Sequence, residues 1–114
     1  MNEKLPLKVI IINNSYLGMV RQWQSLFYSN RLSGVDLTGN PDFVKLARSY
    51  GCKGFRISRN ADVRRVLRAA LEYSDGPCVV EAVVEKQDDV FPMIPSGAGM
   101  KDMLLERSDP PESV

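Results

Sequence analysis

The 114-residue chain contains no histidine. A histidine-based nucleophilic triad is therefore excluded within it, and a zinc site would have to be built from cysteine or carboxylates. Its two cysteines, Cys52 and Cys78, are too far apart for a Cys-x-x-Cys pair. They read as buried thiols of a reducing compartment rather than as a disulfide. Long apolar runs are missing too. Nothing approaches the ~18 residues of a transmembrane helix, and Val9–Ile12, the longest early run, is too short for a signal-peptide core. The cytoplasm is the expected compartment. There is no excess of charge of one sign, since fifteen basic residues face fourteen acidic ones for a formal net charge of +1. That balance leaves no electrostatic footprint for nucleic acid or an anionic membrane. What remains is a chain 44% apolar and 25% charged, without repeats, sized for one ordinary folded domain.

The residues alternate between strand and helix patterns. Lys8-Val-Ile-Ile-Ile12 is a β-branched run that stops at Asn13-Asn14, and it reads as a strand buried on both faces. After the Asn13-Asn14-Ser15 turn, Leu17, Val20, Trp23, Leu26 and Phe27 recur at helical spacing, which predicts a helix over about 16–29. Asn40-Pro41-Asp42 offers an N-cap, a proline at the first helical position and an acid in the first turn. Phe43, Leu46, Ala47 and Tyr50 would form that helix's buried stripe, and Gly51 would end it. Gly54–Ile57 is a second short strand. Asn60 is placed to cap a third helix carrying Val63, Val66, Leu67, Ala70 and Leu71 on one face, closed by Ser74-Asp75-Gly76-Pro77. Cys78–Val84 is the third strand. A short helix over about 101–106 and a frayed tail over 108–114 complete the reading, which makes 1–107 the domain.

Strands alternating with helices imply an α/β fold of three layers, a mainly parallel sheet with helices on both faces. Three strands are few for such a sheet, so it is expected to be incomplete and to pair or pack with something else. In open α/β sheets ligands bind where strands end and helices begin. The first such place is Asn13-Asn14-Ser15-Tyr16-Leu17-Gly18. Helix-terminal N–H groups suit a phosphate, and an asparagine oxygen suits Mg²⁺. The plainer alternative is that Asn14 and Ser15 merely cap the helix.

The longer pattern, Val9-Ile-Ile-Ile-Asn13-Asn14-Ser-Tyr-Leu-Gly18-Met19-Val20-Arg21-Gln22-Trp23-Gln24, resembles the second half of the thiamine-diphosphate motif in the acetohydroxyacid synthase (acetolactate synthase) family. The resemblance continues through Phe27-Tyr28, Asn40–Ala47, Gly51, Lys53–Arg56 and Gly76-Pro77, and ends on Phe91-Pro92-Met93-Ile94-Pro95-Ser96-Gly97. The Gly-Met-Val-x-Gln-Trp-Gln stretch with the Phe-Pro-Met-x-Pro segment is its most specific part. It implies the C-terminal part of a thiamine-diphosphate-binding domain in a catalytic large subunit. The activity implied is condensation of pyruvate with a second 2-keto acid, in branched-chain amino-acid biosynthesis. It further implies that Asn14 (side-chain oxygen) and Tyr16 (backbone carbonyl) hold Mg²⁺. The N–H groups of Leu17, Gly18 and Met19 would meet the cofactor's diphosphate. Met19, Val20, Trp23 and Ser96 would line the substrate pocket, and Phe91–Gly99 would fold over its entrance. A homo-oligomer would be the assembly, with the presence of a regulatory subunit left open.

Other parts of that machinery are not among the 114 residues: an Asp of a Gly-Asp-Gly segment, a cofactor-activating Glu, and the domain that binds FAD. The chain by itself is therefore expected to be catalytically inactive and to bind thiamine diphosphate weakly or, in calorimetry, undetectably. A reading of another class stays open, a non-catalytic α/β binding or assembly module derived from such an enzyme. The arginines at 56, 59, 64, 65 and 68 read as a solvated face, with Arg68–Glu72 as an i,i+4 pair. Glu81, inside an apolar strand, reads as a residue with a polar partner or an edge position, the alternative being a buried functional carboxylate.

Overall fold

A computed structural model describes residues 4–107 of the chain; the expected tail at 108–114 lies outside the described residues. Three strands, β1 (Lys8–Asn13), β2 (Lys53–Ile57) and β3 (Cys78–Val83), form one sheet in the order β1-β3-β2, with every pairing parallel. The helices are α1 (Gly18–Phe27), α2 (Phe43–Ser49) and α3 (Val63–Glu72). The chain divides into two compact units. One ends at Tyr16 and resumes over Asp36–Lys86, and so contains the sheet with α2 and α3; the other is Leu17–Val35 together with the segment from Gln87 onward.

In the sheet unit the expected α/β layering is present. Residues of β3 alternate between faces. Cys78 and Val80, both fully buried, pack with Ile57, Val66 and Ala70 into a core between the sheet and α3, and Phe55, Leu67, Tyr73 and Ala82 flank it. The opposite face receives α2. There Gly54 lies so close to the helix that a Cβ would stand 2.9 Å from the Val44 carbonyl oxygen, which explains why a strand residue here has no side chain. Asp42 is the N-cap of α2 and accepts from the Lys45 N–H at 2.9 Å, not the expected Asn40. At its other end Gly51 adopts φ +70°. Its N–H reaches the Arg48 carbonyl, and that of Cys52 reaches the Ala47 carbonyl, both at 2.9 Å, the two bonds of a Schellman ending.

Several expectations are corrected. β1 is an edge strand, with Ile10 and Ile12 51% and 67% exposed, rather than buried on both faces; its only strand neighbour among the described residues is β3. The buried residues of α2 are Val44, which lies against Gly54, and Ala47, while Leu46 and Tyr50 are exposed. Asn60 opens a 3-10 turn over Asn60–Asp62 ahead of α3, and Leu71 is exposed. Asp62 is clasped by Arg59 and Arg65 at 2.9 Å each, whereas Arg68 and Glu72 form no ion pair among the described residues. Those two arginines hold the Asp62 carboxyl below its usual range, Arg65 first and then Arg59. Cys78 is buried as expected, but Cys52 is half-buried.

In the other unit, α1 is shorter than the expected 16–29, since Ser29 and Asn30 turn to positive φ (53° and 55°). The expected helix at 101–106 is a 3-10 turn over Met100–Asp102, followed by a bridge between Met93 and Leu104. Gly99 and Asp102 close that turn on each other, and the strand-like pairing of Leu104 stops a helix from continuing.

Candidate functional site at the end of the first strand

The turn after β1 is built from its own side chains. The Asn13 Oδ1 accepts from the Ser15 N–H at 3.0 Å, and the Asn14 Oδ1 accepts from the Tyr16 N–H at 3.1 Å. These local bonds let Ser15 occupy φ +60°, a left-handed conformation unfavourable for a side-chain-bearing residue. The turn is tied down from outside as well. The Ser15 carbonyl accepts from the Leu37 N–H at 2.8 Å, and the Asn13 carbonyl from the Val84 N–H at 3.0 Å. Tyr16 bridges Asp36, and the Lys86 ammonium lies 5.5 Å from its ring centroid. The Asp36 carboxyl is held below its ordinary value, first by the backbone N–H of Thr38.

Neither Asn14 nor Ser15 caps a helix. The N-cap of α1 is Leu17, which makes no side-chain cap hydrogen bond among the described residues; the first turn also carries no acidic residue. A helix start normally recruits one or the other. The Asn14 oxygen, bonded to one N–H, retains a second lone pair. No group of three or more acidic or cysteine side chains among the described residues could hold a metal alone. A hard cation with its own anionic ligand therefore fits the Asn14 oxygen and a backbone carbonyl better than a bare ion does.

Asn13 is also held from the sheet. Its Nδ2 donates to the Glu81 Oε1 at 2.7 Å, the Arg56 Nε donates to the Glu81 Oε2 at 2.8 Å, and Arg56 reaches Asp42 at 2.8 Å. Glu81 is 5% exposed, on the central strand rather than at an edge, so its polar partners are Asn13 and Arg56. The two carboxylates raise the Arg56 guanidinium above its usual value, Glu81 first. Asp42 is held low by the Lys45 N–H and then by Arg56. The anomaly visible in the sequence is a lone acid in an apolar strand; its partners are not visible there, because they come from the two other strands.

Within the second unit, Leu17 donates to the Val35 carbonyl at 2.9 Å, ahead of Gly18 and Met19 in the first turn of α1. Val20 and Trp23 come together, with Gln24, Tyr28 and Arg31, around a cleft of about 500 Å³. Trp23 meets Phe27 edge to face at 5.8 Å. Met19 is exposed and lies outside that lining, as does the exposed Ser96. The expected apolar stripe of α1 is not its buried side. Arg21 and Gln22 are buried instead, at 4% and 1% exposure. Arg21 pairs with Asp89, and Arg107 joins that carboxylate at 3.4 Å. The Gln22 carboxamide gives and takes a hydrogen bond with the Val90 backbone, both at 2.9 Å. Arg21 and Gln22 lie off the apolar spacing of α1, and they are buried by partners 68 positions away.

Residues 1–82 match the family described as thiamine pyrophosphate enzyme, C-terminal TPP binding domain. The chain is 42% identical over 106 residues to the acetolactate synthase isozyme 2 large subunit of Escherichia coli K12, covering 93% of the chain and 19% of that relative. It is 44% identical over 109 residues to the acetolactate synthase large subunit IlvB1 of Mycobacterium tuberculosis, covering 92% and 18%. It is 38% identical over 112 residues to the chloroplastic acetolactate synthase 1 of Oryza sativa, covering 91% and 17%. The chain thus spans less than a fifth of the length of these curated relatives. No helix among the described residues is long and apolar enough to cross a membrane.

Proposed function

We propose, from the premise that the chain belongs to the thiamine pyrophosphate enzyme family in its C-terminal TPP-binding domain, that it furnishes part of the cofactor site of an acetolactate synthase. The Asn14 oxygen and the Tyr16 carbonyl hold Mg²⁺, which in turn holds the diphosphate. The N–H groups of Gly18 and Met19 receive the diphosphate oxygens, since an uncapped helix start favours an anion; the expected third donor, the Leu17 N–H, is already given to the Val35 carbonyl. Gly18 leaves room for that approach. When bound, thiamine diphosphate supplies decarboxylation of one 2-keto acid and transfer of its two-carbon unit to another. Val20 and Trp23 give the acceptor an apolar wall, with Met19 and Ser96 as further contacts. A homo-oligomer completes the assembly.

The observation that carries this reading is the turn itself. Two consecutive asparagines each spend their side chain on shaping it, and leave the following helix start without a cap or an acid. The test is a chimera in which this chain replaces the matching segment of the E. coli isozyme 2 large subunit. With Mg²⁺ present it should bind thiamine diphosphate in calorimetry and form acetolactate from pyruvate. Asn14→Ala should weaken metal-dependent binding by about tenfold or more. Tight binding that survives Asn14→Ala would put the site elsewhere.

A further inference from the structure

We propose that Glu81 is a positioning residue for the metal-binding turn and acts through the amide of Asn13. This rests on the reading of Asn14 and Tyr16 as metal ligands. Both Glu81 oxygens are already engaged, one by the Asn13 Nδ2 at 2.7 Å and the other by the Arg56 Nε at 2.8 Å. The side chain is almost fully buried, so it works by orientation rather than as a ligand.

A carboxylate accepts hydrogen bonds and cannot donate them, whereas a carboxamide has one end of each kind. Glu81 thus decides which end of Asn13 faces it. The nitrogen turns toward Glu81, and the oxygen is left facing the Ser15 N–H at 3.0 Å. That bond supports the left-handed backbone of Ser15, which separates Asn14 from Tyr16. Arg56 and Asp42 extend the chain and fix the Glu81 carboxylate from the far side. A buried charge on the central strand is in this way connected, through one amide, to the two residues assigned to the cation.

The donor and acceptor logic provides the test. In Glu81→Gln the shape is kept, but one of two donors, Asn13 or Arg56, must now meet an NH₂ group. If the new amide keeps its oxygen on Arg56, Asn13 has to rotate and set its own NH₂ against the Ser15 N–H. Adding Asn13→Asp restores the pattern with unchanged total charge: the new carboxylate accepts from both the glutamine and Ser15. The measurement is amide NMR on the ¹⁵N-labelled full chain, with Mn²⁺ and thiamine diphosphate as a paramagnetic probe at millimolar concentration, where weak binding is still visible. Mn²⁺ shares the oxygen-rich octahedral preference of Mg²⁺.

Glu81→Gln is expected to lower the hydrogen-exchange protection of the Ser15 amide about tenfold, and to raise the probe concentration that half-broadens the Tyr16 amide about tenfold. The Asn13→Asp/Glu81→Gln pair should return both to near wild type. Asn14→Ala should lose the broadening and keep the Ser15 protection. The proposal is overturned if Glu81→Gln leaves Ser15 protected, or if the double variant is folded but unrescued. Should Glu81→Gln alone unfold the chain, the double variant decides. Absence of localised broadening in the wild type overturns the metal reading and this proposal with it. That outcome is distinguishable, because Ser15 protection still answers to Glu81.

Discussion

The two faces of the sheet are held in different ways. Toward α3 the contacts are mainly apolar: Cys78 and Val80 are sealed against Val66 and Ala70, with the Cys78 thiol donating to the Ala70 carbonyl at 3.7 Å. Toward α2, a row of polar groups crosses all three strands, from Asn13 through Glu81 to Arg56, and ends on the Asp42 cap. Apolar burial is non-directional and roughly proportional to area. It stabilises the fold without specifying where any one atom points. Hydrogen bonds are modest in net energy but directional. The first face keeps the unit folded, and the second tells the β1 turn what shape to take.

The largest expected effect is on the apolar face. Val80→Ala removes buried volume from a fully enclosed site and should lower unfolding free energy by about 2–3 kcal/mol in urea denaturation. A loss no larger than that of an exposed substitution would break the comparison. Next comes the packing of α2. Gly54→Ala forces a methyl to within 2.9 Å of the Val44 carbonyl and should cost about 1–3 kcal/mol. Gly39→Ala, with open space around it and no left-handed φ, should be neutral or slightly stabilising by the same measurement.

The smallest effect is electrostatic. The Asp42 carboxyl sits below its ordinary value because it accepts from the Lys45 N–H and, second, pairs with Arg56. A depressed folded-state value means the contribution is complete above the unfolded carboxyl range, and fades as the pH falls through the folded one. Asp36 and Asp62 are depressed in the same direction, so the acid-side loss is shared among three groups. Thermal melts below about pH 4, the ordinary aspartate range, should show a shallower decline for Asp42→Asn than for the wild type. An unchanged slope would remove Asp42 from the polar row.

Much of this architecture is legible in the residues. The β-branched runs, the helix breaks and the strand–helix alternation give three strands and three helices with boundaries good to a few positions. The turn residues at 13–18 stand out for the same reason, since Asn-Asn after an apolar strand serves no packing purpose. What spacing could not supply is which side of a helix finds a partner. The Gln22 carboxamide is buried because it meets a backbone segment almost seventy residues later, and Leu46 is exposed because Val44 has the glycine to lean on. Likewise Ile10 and Ile12 carry the pattern of a central strand, yet among the described residues the neighbour on one side is missing. Period reports amphipathicity; it does not report the surface that answers it.

The strand order has a consequence in the time of synthesis. Among the described residues β3 is the last strand in sequence and the middle one in space, so β1 and β2 wait for the strand that joins them until residues 78–83 have been made. At a translation rate of roughly 5–20 residues per second, the interval between Lys8 and its register partner Cys78 is on the order of 4–14 s. During that interval α1, then α2 with β2, and then α3 can form local contacts. The arrival of one six-residue strand closes both ladders at once, and brings with it the carboxylate that sets the shape of a turn made seconds earlier.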